Sequence, residues 1–114
     1  MSENQIELNN NRKKHLGLFG KLMPDFAKQI EVQMNETYKD GAIDSKTKRL
    51  MAMAIALGAG CRNCVLAHAE AALDIGATKG DFLETISVVI SMRGTSGVAE
   101  SLRVIQFLDE LGKL

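Results

Sequence analysis

The sequence predicts an all-α subunit of five or six helices. Three observations carry that expectation. A single proline and no tryptophan among 114 residues suit helices better than a loop-rich chain. No run alternates apolar and polar residues with the period of a strand. Apolar residues instead recur at spacings of three and four, in segments bounded by capping residues and glycines.

The elements follow in order. Residues 1–12 are polar and are expected to be loose. A first helix is expected over Lys14–Lys21. Pro24 fits the first position of a second helix, with Asp25 in its first turn. Phe26, Ile30 and Met34 give that helix an apolar stripe, and Asp40-Gly41 should end it. Asp44 or Ser45 can cap a third helix. Its interior, LMAMAIALGAG, is apolar on every side, which predicts burial all round and, in so small a domain, cover from other subunits. Gly58 and Gly60 end or bend it. A fourth helix begins near Cys61 and runs to Asp74, with Gly76 just beyond. Thr78 and Asp81 make a cap for a fifth, lined by Phe82, Leu83, Ile86, Val89 and Ile90. The stretch from Met92 to Gly97 is a break. The last helix carries Val98, Leu102, Ile105 and Leu108 on one side, and Val104, Phe107 and Leu111 on another.

The length fits one domain spanning 1–114, which buries about two thirds of its unfolded surface. Fourteen basic and fourteen acidic residues cancel, so no long-range field favours nucleic acid or an anionic membrane. The N-terminus, MSENQIELNN, lacks the apolar run of a signal peptide, and the longest uncharged stretch, Leu50 to Cys61, is too short to span a bilayer. A cytoplasmic location is expected. In a reducing compartment an isolated cysteine pair serves metal binding or redox chemistry better than structural cross-linking.

That pair lies in GCRNCVLAH, residues 60–68. Each helical residue turns about 100°, so Cys61, Cys64 and His68 share one face. Cys61 at the helix start meets unpaired N–H groups that favour a thiolate. His68 lies one turn after Cys64 and has the proton affinity of a base working near neutral pH. Cys64 activated by His68, with Cys61 as resolving partner, is a coherent redox assignment. The plainer reading is a buried helix face of small residues, since Ala71 and Ala72 continue the same spacing. A structural zinc would need a fourth ligand, and His15 is far away in sequence. Covalent haem attachment needs a histidine directly after the second cysteine, where Val65 stands. No metal and no cofactor are expected.

The run SKTKRLMAMAIALGAGCRNCVLAHAEAALDIGATKGDFLETI resembles the carboxymuconolactone decarboxylase family, and within it the AhpD-like alkylhydroperoxidase branch. The resemblance covers roughly residues 40–111, through a small-residue apolar helix, CxxCxxxH, a helix ending in Gly-Ala and an acidic cap. It implies an all-helical subunit in a homo-oligomer, a trimer or hexamer. It also implies a cysteine-based peroxidase or disulfide reductase without haem, flavin or metal, served by a thiol reductant partner and acting on a small hydroperoxide or a disulfide. By motif position Cys64 is the thiol nearer the base, Cys61 its more accessible partner and His68 the proton-relay histidine.

Two positions depart from that pattern. The branch usually carries a glutamate twelve residues before the first cysteine, and Arg49 stands there. The missing carboxylate implies a shortened relay, a substitute acid (Glu31, Glu36 or Glu70) or weakened peroxidase activity, and Arg49 itself would lower the pKa of a thiolate directly. Asn63 stands between the cysteines where some members carry an aromatic residue or a histidine. Two other function classes fit the chain less well: a lactone decarboxylase, which makes no use of the cysteine pair, and a non-catalytic helical oligomer or binding module.

Overall fold

The computed structural model describes residues 3–114. Among these there are six helices and no strand: α1 (Gln5–Leu22), α2 (Pro24–Thr37), α3 (Ser45–Ala59), α4 (Arg62–Asp74), α5 (Lys79–Arg93) and α6 (Thr95–Glu110). Helices α3, α4, α5 and α6 enclose the core. Met53, Leu57, Leu66, Phe82, Val104, Phe107 and Leu108 are fully buried there. Each such side chain contributes about 1.5–3 kcal/mol by leaving water.

Helix α1 starts nine residues earlier than the sequence predicts, so residues 5–12 are ordered helix instead of a loose arm. Tertiary bonds hold it, and no local pattern announces them. Asn4 caps the helix by accepting the Glu7 N–H at 2.9 Å. Glu110, at the far end of α6, accepts the N–H groups of Gln5 and Ile6 at 3.1 and 2.9 Å. Burial pushes the Glu110 carboxyl up, but the bonds from Gln106, Ile6 and Gln5 outweigh it and hold the group below its ordinary range. Gln5 and Asn9 are buried polar residues with partners: Arg103 donates to Gln5 at 2.9 Å, and Asn9 donates to Glu70 at 2.7 Å. Buried polar groups matched in this way are satisfied and help to hold α1 in place.

Pro24 opens α2 as expected. The helix buries no residue, and Phe26 and Ile30 of its stripe are exposed. Helix α3 also departs from expectation. Leu50, Met53, Ala56 and Leu57 face the core, whereas Ile55 is 71 % exposed and Met51 is exposed beside it. The helix is apolar all round but covered on one side only within the subunit. In α6 the core takes Val104, Phe107 and Leu108, while Val98 and Leu102 face outward.

The caps between these helices match the sequence reading. Asp44 accepts the Thr47 N–H at 2.7 Å. Thr78 and Asp81 form a reciprocal capping box. Lys46 reaches Asp81 at 3.2 Å and ties the starts of α3 and α5 together. Arg93 donates to the carbonyl of Leu57 at 2.8 Å, satisfying a group left over at the end of α3. Gly60 has φ of 75°, the left-handed geometry that lets α3 stop and Cys61 begin α4 at once.

The break between α5 and α6 shrinks to Gly94, because α6 already starts at Thr95. Gly97 is buried against α5. A Cβ there would lie 3.0 Å from the carbonyl oxygen of Val89 and 3.2 Å from Cα of Ile90, both backbone atoms. Gly97→Ala is therefore expected to force the helices apart and to cost about 1–3 kcal/mol, read as a lower urea midpoint at unchanged slope.

Candidate active site

Cys61 is the N-cap of α4, with extended backbone (φ −89°, ψ 95°). It is joined to Cys64 by a disulfide whose Cα atoms are 5.3 Å apart. The non-helical cap residue brings the two sulfurs together where a strict helical pair would sit too wide. The Cys61 sulfur also accepts the N–H of Cys64 at 3.3 Å. The sulfur thus takes the place of a capping oxygen at the positive end of the helix.

Exposure of the two cysteines reverses the motif-based expectation. Cys61 is half-buried, packed against the core under the end of α3, and Cys64 is the exposed one. The cap position turns Cys61 inward, while the next turn carries Cys64 to the rim of an open cavity of about 390 Å³. That cavity is lined by Cys64, Asn63, His68 and, from α1, Arg12, His15 and Leu16. A second cavity of about 370 Å³ lies between α1, α2, α3 and α4. It is largely apolar, with Phe19, Ile30 and Met34 on its walls and Arg49, Glu31 and His68 among its polar groups. His68, Arg12, Leu16 and Ala67 are shared, so the imidazole stands in the wall between the two spaces.

Arg49 approaches His68 from the second cavity. Its guanidinium lies 3.2 Å from Nδ1 of His68 and 3.7 Å from the ring centre of Tyr38. The Tyr38 and His68 rings are 5.6 Å apart, tilted by 38°. Tyr38 ends α2 and supports the cation on its face. The turn behind it is held by Lys48, which donates to the Lys39 carbonyl at 2.7 Å.

Burial lowers the proton affinity of His68, and the positive charges of Arg49 and Arg12 lower it further, below the ordinary value of 6.5. The folded protein thus keeps His68 neutral at a pH where the unfolded chain begins to protonate. Stability from this group is full above about pH 6.5 and is lost as pH falls toward and through the lowered folded value. The urea midpoint is expected to drop between pH 7.5 and 5, with a smaller drop in Arg49→Gln and this component absent in His68→Gln.

None of the three candidate acids pairs with His68. Glu70 faces α1 and accepts from Asn9 and from Lys13 at 3.0 Å. Glu36 pairs with Lys39 at 2.8 Å. Glu31 lines the apolar cavity, but its ion pair is with Lys28 at 4.0 Å. Arg12 and Tyr38 escaped the sequence reading, and His15, weighed there only as a zinc ligand distant in sequence, lines the cavity with Cys64 and His68. Arg12, His15, Leu16 and Phe19 share a helical face, a legible signal had α1 been traced from its true start. Tyr38 sits in a polar turn and gives no signal. Among the described residues no group of three His, Cys, Asp or Glu converges as a metal site.

The family model for the carboxymuconolactone decarboxylase family matches residues 24–107. The chain belongs to that family. The match starts at Pro24 and so reaches further toward the N-terminus than the motif region around the cysteines. The apo crystal structure of a carboxymuconolactone decarboxylase family protein from Legionella pneumophila superposes with a TM-score of 0.88 at 28% identity, over 96% of this chain and 97% of that one. An uncharacterized protein of Cupriavidus necator is 29% identical over 86% of this chain and 87% of its own. Uncharacterized protein 4 in the cox locus of Paracoccus denitrificans is 35% identical over 65% of this chain and 67% of its own. This chain and the Legionella pneumophila protein share one fold, so the helices that carry Arg49, Cys64 and His68 belong to a scaffold common to both. No helix among the described residues is long and apolar enough to cross a membrane.

Proposed function

We propose that the chain is a dithiol–disulfide oxidoreductase of the AhpD-like branch, cytoplasmic, reduced by a thiol partner and oxidised by a partner disulfide or a small organic hydroperoxide. The observation that carries this reading is the Cys61–Cys64 disulfide at the start of α4, with His68 lining the same cavity as Cys64. The cap position favours a thiolate on Cys61, and His68 serves Cys64. Oxidation by a hydroperoxide converts two thiols and ROOH into the disulfide, ROH and water. The test is to reduce the protein, add one equivalent of cumene hydroperoxide or of a small aromatic disulfide, and count alkylatable thiols with time. Loss of both thiols in step is expected with at least one oxidant. Retention of both thiols with both oxidants would defeat the reading.

A lactone decarboxylase, the activity for which the family is named, is the second reading, and family membership favours it. Alkylation of both thiols separates the two, because a decarboxylase should survive it.

Oligomerisation is part of the proposal. Ile55 and Met51 on α3, and Phe26, Ile30 and Val32 on α2, leave more apolar surface exposed than scattered single residues would. Light scattering is expected to give three or six times the 12.4 kDa chain mass. A monomer at micromolar concentration would contradict it.

A further inference from the structure

We infer that Arg49 holds His68 as the neutral Nε2–H tautomer, so that His68 offers Cys64 a hydrogen-bond donor in place of a base. This rests on the oxidoreductase reading for its consequence, though not for the tautomer itself.

A guanidinium has five N–H donors and no acceptor. The 3.2 Å contact between Arg49 and Nδ1 of His68 is therefore a hydrogen bond only if Nδ1 is unprotonated. In neutral imidazole the proton then sits on Nε2. A glutamate in place of Arg49 would impose the reverse: it accepts, so Nδ1 carries the proton and Nε2 becomes the base. Arg49 is fixed in this role from its other side by the Tyr38 ring at 3.7 Å. The groups facing His68 do not oppose the assignment. Arg12 and His15 of α1, Glu31 of α2, Arg49 of α3 and Tyr38 line its surroundings, and the acids Glu31 and Glu70 are paired elsewhere. Burial and the two arginines disfavour imidazolium.

The chemistry of the site changes accordingly. In disulfide reduction, the Cys64 thiolate at the cavity rim attacks one sulfur of the substrate RSSR. A Cys64–SR bond forms, the substrate's S–S bond breaks, and its electron pair leaves as the thiolate RS⁻. The Cys61 thiolate then attacks Sγ of Cys64, forming the Cys61–Cys64 disulfide and releasing the second RS⁻. No proton has to reach either leaving group, and a neutral Nε2–H donor suits a departing thiolate. In hydroperoxide reduction, the Cys64 thiolate attacks the terminal oxygen of ROOH and becomes sulfenic acid. The alkoxide RO⁻ that leaves needs a proton. A neutral His68 could supply it only by becoming imidazolate, so the proton must come from water. Cys61 then condenses with the sulfenic acid, releasing water and restoring the disulfide. The site thus favours disulfide substrates over hydroperoxides.

Long-range ¹H–¹⁵N NMR of the imidazoles in the oxidised protein at pH 7.5 tests the assignment, with His68→Gln identifying the His68 signals. Expected are a pyridine-like Nδ1 and a pyrrole-like Nε2, unchanged in Arg49→Lys and exchanged in Arg49→Glu. A protonated Nδ1 in the parent protein would overturn the inference while leaving the cysteine pair's redox role intact. The kinetic companion is the ratio of rate constants for cumene hydroperoxide and for a small disulfide. Arg49→Glu should raise that ratio about tenfold or more, since proton transfer to the leaving oxygen becomes available. An unchanged or lower ratio would overturn the catalytic half. Failure of the pair to cycle at all, seen by thiol trapping, defeats the oxidoreductase reading and that half with it, but not the tautomer.

Discussion

Cys64→Ser is expected to abolish turnover with a thiol reductant and either oxidant, by about 10³-fold or more, as when a nucleophile is removed. The fold should persist, because Cys64 is exposed and lies outside the core. Cys61→Ser should be equally inactive, yet for a separable reason. Serine is a good N-cap, so the start of α4 keeps its capping bond while the redox couple is lost. Circular dichroism and urea unfolding of both variants, beside steady-state rates, check this. Turnover that survives both substitutions would contradict the oxidoreductase reading, since no sulfur couple remains to carry the electrons.

Phe82→Ala carries the largest expected effect on stability. Phe82 is completely buried and is among the largest side chains in the core formed by α3 to α6. Truncation removes the transfer energy of the ring and leaves a cavity, about 3–5 kcal/mol together. That is a large share of the roughly 5–15 kcal/mol that hold a domain of this kind together. Glu84→Ala, two residues on and exposed, should stay within about 0.5 kcal/mol. Urea midpoints of the two variants measure the contrast. A loss below 1 kcal/mol for Phe82→Ala would mean that the core is not organised around α5 as described.

Much of this arrangement is legible in the sequence because short-range chemistry sets it. Asp44, Thr78 with Asp81, Gly60 and Gly76 mark the ends of α3, α4 and α5, and each acts within one turn of itself. The CxxCxxxH spacing places both cysteines and His68 for the same reason. Helix α1 escapes because long-range partners hold it: Glu110 at its N-terminus, Arg103 on Gln5, Glu70 on Asn9. The polar stretch that looks loose is polar because its partners are polar. The all-round burial expected of α3 fails within one subunit, since composition reports how apolar a face is and not what covers it. The environment of His68 is the hardest part to foresee. Arg49 stands nineteen residues away and Tyr38 thirty, and only the packing of α3 against α4 and the reach of Tyr38 from the end of α2 bring them to the ring.

The most direct test is the reduction potential of the Cys61–Cys64 pair, measured by thiol trapping across defined redox buffers. A reversible two-electron transition between roughly −180 and −300 mV, the range of redox-active pairs, is the predicted result. Two thiols that never pair, or that react like independent surface cysteines, would contradict the oxidoreductase account and leave α4 a packed helix with no redox role.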